Sequence, residues 1–191
     1  AVLGTALKSD VVLLSPDASG ERVLVELHRS RHRFLAFSHG THEGVAAHDG
    51  SRAFSVVHVQ GAPARPVFAW ACHTGSQFGE DASKAGWMWW GYTGAVNAPG
   101  DSDKESEIAC RMFWEVVRLF AMAQESVDSV RARLNDIREL ALSMTVELAS
   151  IPGSHETQLC FLHLWERLRV WVPGHGDVLH HPEVQPPVLF P

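Results

Sequence analysis

The 191-residue sequence has little cysteine, no excess of positive charge and no long apolar run. Three widely spaced cysteines, Cys72, Cys110 and Cys160, argue against a disulfide framework and indicate a reducing compartment. A net charge of −6 provides no electrostatic footprint for a phosphate backbone, so we expect no direct nucleic-acid binding. No apolar run approaches the roughly 20 residues of a membrane helix, and no signal-peptide pattern follows Ala1. We therefore expect a cytoplasmic globular protein that does not contact a membrane.

Histidine and tryptophan, by contrast, are abundant, with 12 and 7 residues, and this is the first indication of a functional site. The length predicts one domain, and the 46% of apolar residues is ordinary for a globular chain. The sequence starts with Ala instead of Met. We therefore expect a trimmed or excised chain that could belong to a longer protein or a complex.

The first half alternates short apolar runs with turns and polar segments. We predict strands at residues 11–14, 34–37, 67–71 and 87–96, a helix at 21–30, and a hairpin that turns at Asp49-Gly50. The runs at 34–37 and 67–71 are uncharged, which is typical of strands buried on both faces. The polar, glycine-containing segment 75–86 is predicted to be a mobile loop.

The second half has the spacing of helices. Residues 103–148 predict two amphipathic helices that cover the sheet, with Ser102 or Asp103 as the first N-cap. Residues 158–172 fit a strand or a helix equally well, and the tail from Pro173 is rich in proline. We divide the single domain 1–191 into a sheet with the site (1–100), a helical cover (101–150), and a last element with the tail (151–191). The fold class is α/β, with a mainly parallel sheet flanked by helices.

Two of the predicted strands end in residues that can carry chemistry: His39-Gly40 follows the first, and Cys72 follows the second. Ligand sites of parallel sheets lie at the carboxyl ends of the strands. An imidazole near a thiol can take its proton and make it a nucleophile. The backbone N–H groups of Gly40 and Cys72 could then form an oxyanion hole for an acyl intermediate.

The local motifs resemble the caspase-like peptidases. Ser38-His39-Gly40, then Glu43-Gly44 and Asp49-Gly50, resembles the histidine segment of the caspases, and Ala71-Cys72-His73-Thr74-Gly75 resembles the nucleophile segment of caspases, metacaspases and bacterial CHAT peptidases. The likeness covers roughly residues 33–96. It implies a caspase–hemoglobinase fold, a Cys72 nucleophile, a His39 general base and no cofactor. The compact layout is more similar to bacterial caspase-like or CHAT-type domains, which often act with sensors in defence or programmed cell death.

The sequence also departs from these families. His39 precedes Cys72 by 33 positions, whereas animal caspases have about 50. Trp70 stands where caspases have Gln and metacaspases have Asp, at a position that lines the pocket for the residue before the cut. The resemblance implies that Trp89 and Trp90 line the substrate groove, although a plain core role is the competing interpretation. The acids Glu80, Asp81 and Asp49 could favour a basic substrate residue.

We therefore predict a cysteine endopeptidase, a thiol protease that hydrolyses peptide bonds of a protein substrate under the control of a sensor or regulatory partner. The alternative is a catalytically silent caspase-like domain that binds a peptide or partner without cutting it. A third hypothesis is a zinc site formed by His39, His42, Cys72 and His73, whose ligand types suit zinc but whose spacing matches no known finger or ribbon. Cys110 and Cys160 lie in apolar stretches and are interpreted as core residues.

Overall fold

The computed structural model describes residues 18–29, 31–96 and 102–184. The predicted strand at 11–14 lies outside these ranges, as does the end of the tail. In chain order the elements are α1 (Gly20–Arg29), β1 (Phe34–Phe37), β2 (Gly40–Thr41), β3 (Gly44–Ala46), β4 (Arg52–Ser55), α2 (Val56–Gly61), β5 (Pro66–Trp70), α3 (Gln77–Lys84), β6 (Met88–Tyr92), α4 (Asp103–Met122), α5 (Val127–Leu148), α6 (His155–Glu166) and β7 (Leu168–Trp171).

The architecture is mixed α/β, built on a four-stranded sheet with helices on both faces. The strand order is β1-β5-β6-β7. Strands β1, β5 and β6 are parallel, and β7 pairs with β6 in the antiparallel direction. A second, antiparallel sheet of order β2-β3-β4 follows β1 directly. The predicted mainly parallel sheet flanked by helices is therefore confirmed.

The central strand β5 explains why the sheet has two cores. Its five residues are all buried, and its side chains alternate between the two faces. Phe68 and Trp70 face one core, called the first core, together with α4, α5 and α6. Val67 and Ala69 face the other, called the second core, together with α1, α3 and the hairpin residue Phe54. An uncharged apolar run is thus what a strand covered on both faces requires.

Strand β1 was expected to be buried on both faces, but it is less protected than β5. Within the described residues it pairs with β5 alone, and its last residue, Phe37, is 44% exposed. Phe37 lies over Trp70, with ring centroids 6.4 Å apart. Strand β1 thus ends close to the surface, which leaves the residues that follow it accessible.

The prediction of a mobile loop at 75–86 is wrong, because this segment contains helix α3. The helix buries Phe78 and Ala82 against the second core, while Lys84 pairs with Glu80 at 2.7 Å. The sequence did not predict this helix, because Gly79 lies inside it and glycine disfavours helix interiors. A Cβ at position 79 would lie 2.5 Å from the Trp171 ring, so the glycine allows α3 to approach β7.

The two long helices follow their sequence patterns closely, but the predicted strand at 87–96 is limited to Met88–Tyr92, and Cys110, expected in the core, is exposed. The two long helices span Asp103–Met122 and Val127–Leu148, and the Ser102 hydroxyl accepts a hydrogen bond from the Glu105 N–H as the predicted N-cap. The undecided segment 158–172 contains both structures: most of α6 and then β7. None of the helices in the described ranges combines the length and apolar character needed to cross a bilayer.

Candidate active site

The candidate site lies where the parallel strands β1 and β5 end. Phe37 is paired with Trp70 in the strand register, and the Ser38 N–H extends the ladder by donating to the Trp70 carbonyl at 3.2 Å. His39 and Cys72 each come two positions after this last pair. Because adjacent strands lie about 4.8 Å apart, the chain at His39 and the chain at Cys72 leave the sheet side by side.

Gly40 shows how closely the two chains approach beyond the sheet. A Cβ built at Gly40 would lie 2.4 Å from the Cys72 carbonyl oxygen and 2.8 Å from both Ala71 Cβ and Thr74 Cγ2. The turn after β5 is itself fixed, since the buried Thr74 hydroxyl donates to the Ala71 carbonyl at 3.0 Å. A side chain at position 40 would force the two chains apart, so the backbone there requires glycine.

The small hairpin sheet holds the His39 backbone. The Ala46 N–H donates to the His39 carbonyl at 2.9 Å, and the Ser38 hydroxyl donates to the Ala46 carbonyl at 2.7 Å. Each bond joins the residues after β1 to strand β3. The His39 side chain is exposed. Its backbone is therefore fixed while its imidazole remains accessible to solvent and to a substrate.

The half-buried sulfur of Cys72 contacts the chain that leaves β6. The Val96 N–H donates to Sγ at 3.4 Å, and Sγ lies 3.8 Å from the Val96 carbonyl oxygen, to which the thiol can donate. Among the described residues, the hydrogen-bond partner of this sulfur is Val96 and not His39. The structure thus brings the predicted pair to one edge of the sheet, with the thiol turned toward the β6 side.

His73 has an unusual backbone and a neighbouring imidazole. Its φ of 61° lies in the left-handed region, and its N–H donates to the Gly94 carbonyl at 3.3 Å. Its ring lies 4.8 Å from the ring of His42, and its buried Nδ1 has no hydrogen-bond partner. Strained residues of this kind cluster at functional sites.

The zinc hypothesis finds no support in this arrangement. Across residues 18–29, 31–96 and 102–184, no three side chains of His, Cys, Asp or Glu are grouped so that they could hold a metal ion. His42 and His73 do approach each other as the zinc hypothesis required. The Cys72 sulfur, however, is directed to the Val96 backbone instead of joining them.

The tryptophans predicted to line a groove are packed in the interior. Trp89 and Trp90 are both 0% exposed and belong to opposite cores, as the alternation along β6 requires. Trp70 is buried, with its ring centroid 3.9 Å from that of Phe113. This burial favours the competing core interpretation of Trp89 and Trp90, and it corrects the expectation that Trp70 lines a substrate pocket.

Glu80 and Asp81, predicted to favour a basic substrate residue, lie on α3 beside Lys84. The Lys84 Nζ is 2.7 Å from Glu80 and 3.9 Å from Asp81, and hydrogen bonding to Glu80 raises the pKa of Lys84. Asp49 lies at the hairpin turn, where hydrogen bonds from Ser51 lower the pKa of its carboxyl. Each of the three acids thus already has a partner within the chain.

A surface cavity of about 460 Å³ lies in the hairpin sheet and adjoins the site. The ion pair of Arg52 with Glu43 lies on its wall, and His42 connects the cavity to His73. Its lining residues are Thr41, His42, Glu43, Gly44, Val45, Ala46, Gly50, Ser51 and Arg52.

Sequence reasoning did not identify the part of the site that follows β6. Val96 contacts the sulfur through its backbone, and any residue has the same backbone groups, so no motif could have indicated it.

Comparisons with models of known protein families, with curated protein sequences and with solved structures returned no match to this chain.

Proposed function

We propose that the chain is a cysteine endopeptidase of caspase-like architecture that uses Cys72 as nucleophile and His39 as general base. The observation that carries the proposal is the common register of the two residues, each two positions beyond the last pair of parallel strands β1 and β5. The close approach of the two chains at Gly40, where an added Cβ would lie 2.4 Å from the Cys72 carbonyl oxygen, also supports it. Caspase-like motifs and this placement agree on the same two side chains.

The reaction follows from the chemistry of a thiol and an imidazole. His39 takes the thiol proton, and the Cys72 sulfur attacks the carbonyl carbon of the scissile peptide bond. The N–H groups of Gly40 and Cys72 stabilise the negative oxygen of the tetrahedral intermediate. His39 then gives its proton to the leaving amine as a thioester forms. Water hydrolyses the thioester and regenerates the thiol.

This mechanism requires the thiol to turn, because its present partner is Val96. A rotation about the Cα–Cβ bond redirects Sγ without moving the backbone. Once the sulfur has turned away from Val96, a peptide at the sheet edge can meet both the sulfur and the exposed His39 imidazole. We place the enzyme in the cytoplasm as a regulated bacterial defence or cell-death protease with a protein substrate and a sensor partner.

The test is covalent labelling with a mixture of peptidyl acyloxymethyl ketones, followed by mass spectrometry of each cysteine. We expect Cys72 to be labelled in preference to Cys110 and Cys160. His39→Ala should slow Cys72 labelling by about 10²-fold, the usual contribution of a general base. His28→Ala, an exposed histidine on α1, is the matched control and should not change the rate. Equal labelling rates in wild type and His39→Ala would reject the dyad.

The engagement of the sulfur with Val96 favours one alternative, a catalytically silent caspase-like module that binds a peptide or partner. Such a module would bind peptides at this edge of the sheet with equal affinity in wild type and Cys72→Ala, and the ketone mixture would not label Cys72. Peptide cleavage by wild type and its loss in Cys72→Ala would reject this alternative.

A further inference from the structure

The segment that leaves β6, residues 93–96, borders the Cys72 turn and will be called the exit segment. Three of its backbone groups contact this turn. The Val96 N–H and carbonyl flank the Cys72 sulfur at 3.4 and 3.8 Å, and the Gly94 carbonyl accepts from the His73 N–H at 3.3 Å. The position of the thiol therefore depends on the position of the exit segment.

Arg167 is hydrogen-bonded to two residues of the exit segment, Thr93 and Ala95. Its carbonyl accepts from the Thr93 N–H at 2.9 Å and from the Thr93 hydroxyl at 3.3 Å. Its guanidinium donates to the Ala95 carbonyl at 2.6 Å. A Cβ at Gly94 would lie 3.0 Å from Arg167 Cδ, so the arginine side chain runs along the segment.

Arg167 is itself anchored by the helix it follows. It is the residue after α6, and its N–H donates to the His163 carbonyl at 3.0 Å. The next residue, Leu168, begins β7 in register with Tyr92 of β6. A fixed helix end thus connects, through one side chain and one carbonyl, to the backbone groups that flank the sulfur.

We propose that Arg167 is a positioning residue for Cys72: it holds the exit segment against the sulfur and keeps the thiol in a resting orientation, directed to Val96. Release of Arg167 from the Ala95 carbonyl frees the segment, and the sulfur becomes accessible. The inference about thiol access stands on geometry alone, whereas its meaning for catalysis rests on the proposed function.

The test compares the alkylation rates of the three cysteines by iodoacetamide in the full chain, resolved by mass spectrometry. Arg167→Ala should speed the alkylation of Cys72 by about tenfold, which corresponds to about 1.4 kcal/mol. Arg167→Lys keeps a donor for the Ala95 carbonyl and should return the rate most of the way to wild type. Thr93→Val removes one hydroxyl contact to the Arg167 carbonyl and should give a smaller increase. Arg118→Ala, on the exposed side of α4, is the matched control.

Cys160 distinguishes release of the segment from general loosening of the fold. Burial raises the pKa of the Cys160 thiol, the charge of Glu156 adds to this, and the charge of Arg167 opposes it. Arg167→Ala should therefore leave Cys160 alkylation unchanged or slower while Cys72 alkylation becomes faster. A parallel increase at both cysteines would overturn the proposal, because it would report a loosened structure.

Amide hydrogen exchange at Val96 and His73 provides a second readout. Both amides should exchange faster in Arg167→Ala and recover in Arg167→Lys. Unchanged exchange would show that Arg167 does not hold the segment, and faster exchange without faster Cys72 alkylation would show that the segment does not shield the thiol. Either result overturns the proposal.

If Arg167→Ala does not fold, Thr93→Val and Arg167→Lys decide by the same criteria. Faster iodoacetamide alkylation without any labelling by peptidyl ketones would reject the protease and keep the positioning role.

Discussion

At the scale of the residue, both the sequence motif and the packing of the two chains depend on Gly40. The sequence predicts it as an oxyanion donor because it follows His39. The structure adds a steric requirement, since a Cβ would meet the Cys72 carbonyl oxygen at 2.4 Å. The nearest atom belongs to the backbone and cannot rotate away. A substitution at this glycine must therefore change the separation of His39 from Cys72.

We expect Gly40→Ala to slow the labelling of Cys72 by peptidyl ketones by up to about 10²-fold, the cost of misplacing a catalytic group by about 1 Å. Gly61→Ala, where an added Cβ has no neighbour within 4 Å, should label at the wild-type rate. The measurement is the labelling rate, with circular dichroism to verify the fold. A Gly40→Ala protein that labels as fast as wild type would show that the close approach does not matter for the site.

The sequence predicted that His39 and Cys72 follow two neighbouring parallel strands, and the structure has this arrangement. The strand ends placed His39 and Cys72 at one edge, because parallel strands share an edge for their carboxyl ends. The role of Trp89 and Trp90 was less predictable, since aromatic residues suit a groove and a core equally well. Both are fully buried, on opposite faces of the sheet. Only the neighbouring elements, which the sequence does not reveal, decide between these environments.

At the scale of the element, the long helices could be predicted and α3 could not. The periods of α4 and α5 extend over many turns, and Ser102 marks the first of them. Helix α3 has only eight residues, and its glycine is required by close packing against another element, because a Cβ there would overlap the Trp171 ring of β7. A constraint from tertiary packing thus outweighed local helix propensity at Gly79.

Gly79→Ala therefore separates propensity from packing. Propensity alone would stabilise α3 by about 1 kcal/mol. An added methyl group 2.5 Å from Trp171 Cδ1 and 3.0 Å from Trp89 Cδ1 should instead destabilise the protein by about 1–3 kcal/mol. We expect a lower urea midpoint for Gly79→Ala, with Gly61→Ala unchanged or slightly higher. A higher midpoint for Gly79→Ala would show that α3 does not pack closely against β7.

At the scale of the whole molecule, residues that follow β7 close the first core. Leu179 forms a bridge with Val170, and the His181 ring lies edge-on to Trp165, with centroids 5.4 Å apart. His181 is 5% exposed, and its Nδ1 accepts from the Glu183 N–H at 3.2 Å. This bond requires an unprotonated Nδ1, so the closure of the core is linked to the neutral form of one histidine.

Burial, and next the charge of Arg138, lowers the pKa of His181. His180 lowers it further, whereas Glu183 and Glu139 oppose the shift. The unfolded chain, with a histidine pKa of about 6.5, then binds the proton more readily than the folded chain. Stability should be complete above about pH 6.5 and should fall as the pH drops below this value toward the folded pKa.

The measurement is the urea midpoint at neutral and mildly acidic pH for wild type and His181→Phe, which keeps an aromatic ring beside Trp165. The variant should lose less stability on acidification than wild type. Part of the pH dependence should remain, because burial also lowers the pKa of His163. An identical pH dependence in both proteins would show that His181 does not titrate on unfolding.

The register that joins Phe37 to Trp70 has a consequence for how this chain could vary in length. Strands β1 and β5 place His39 and Cys72, and β3 of the hairpin holds the backbone of Ser38 and His39. The Asp49-Gly50 tip and the residues after α2 return the chain to the sheet. Insertions or deletions at the Asp49-Gly50 tip or after α2 should thus be tolerated without separating imidazole and sulfur. A one-residue slip between β1 and β5 would separate them while leaving the overall architecture recognisable.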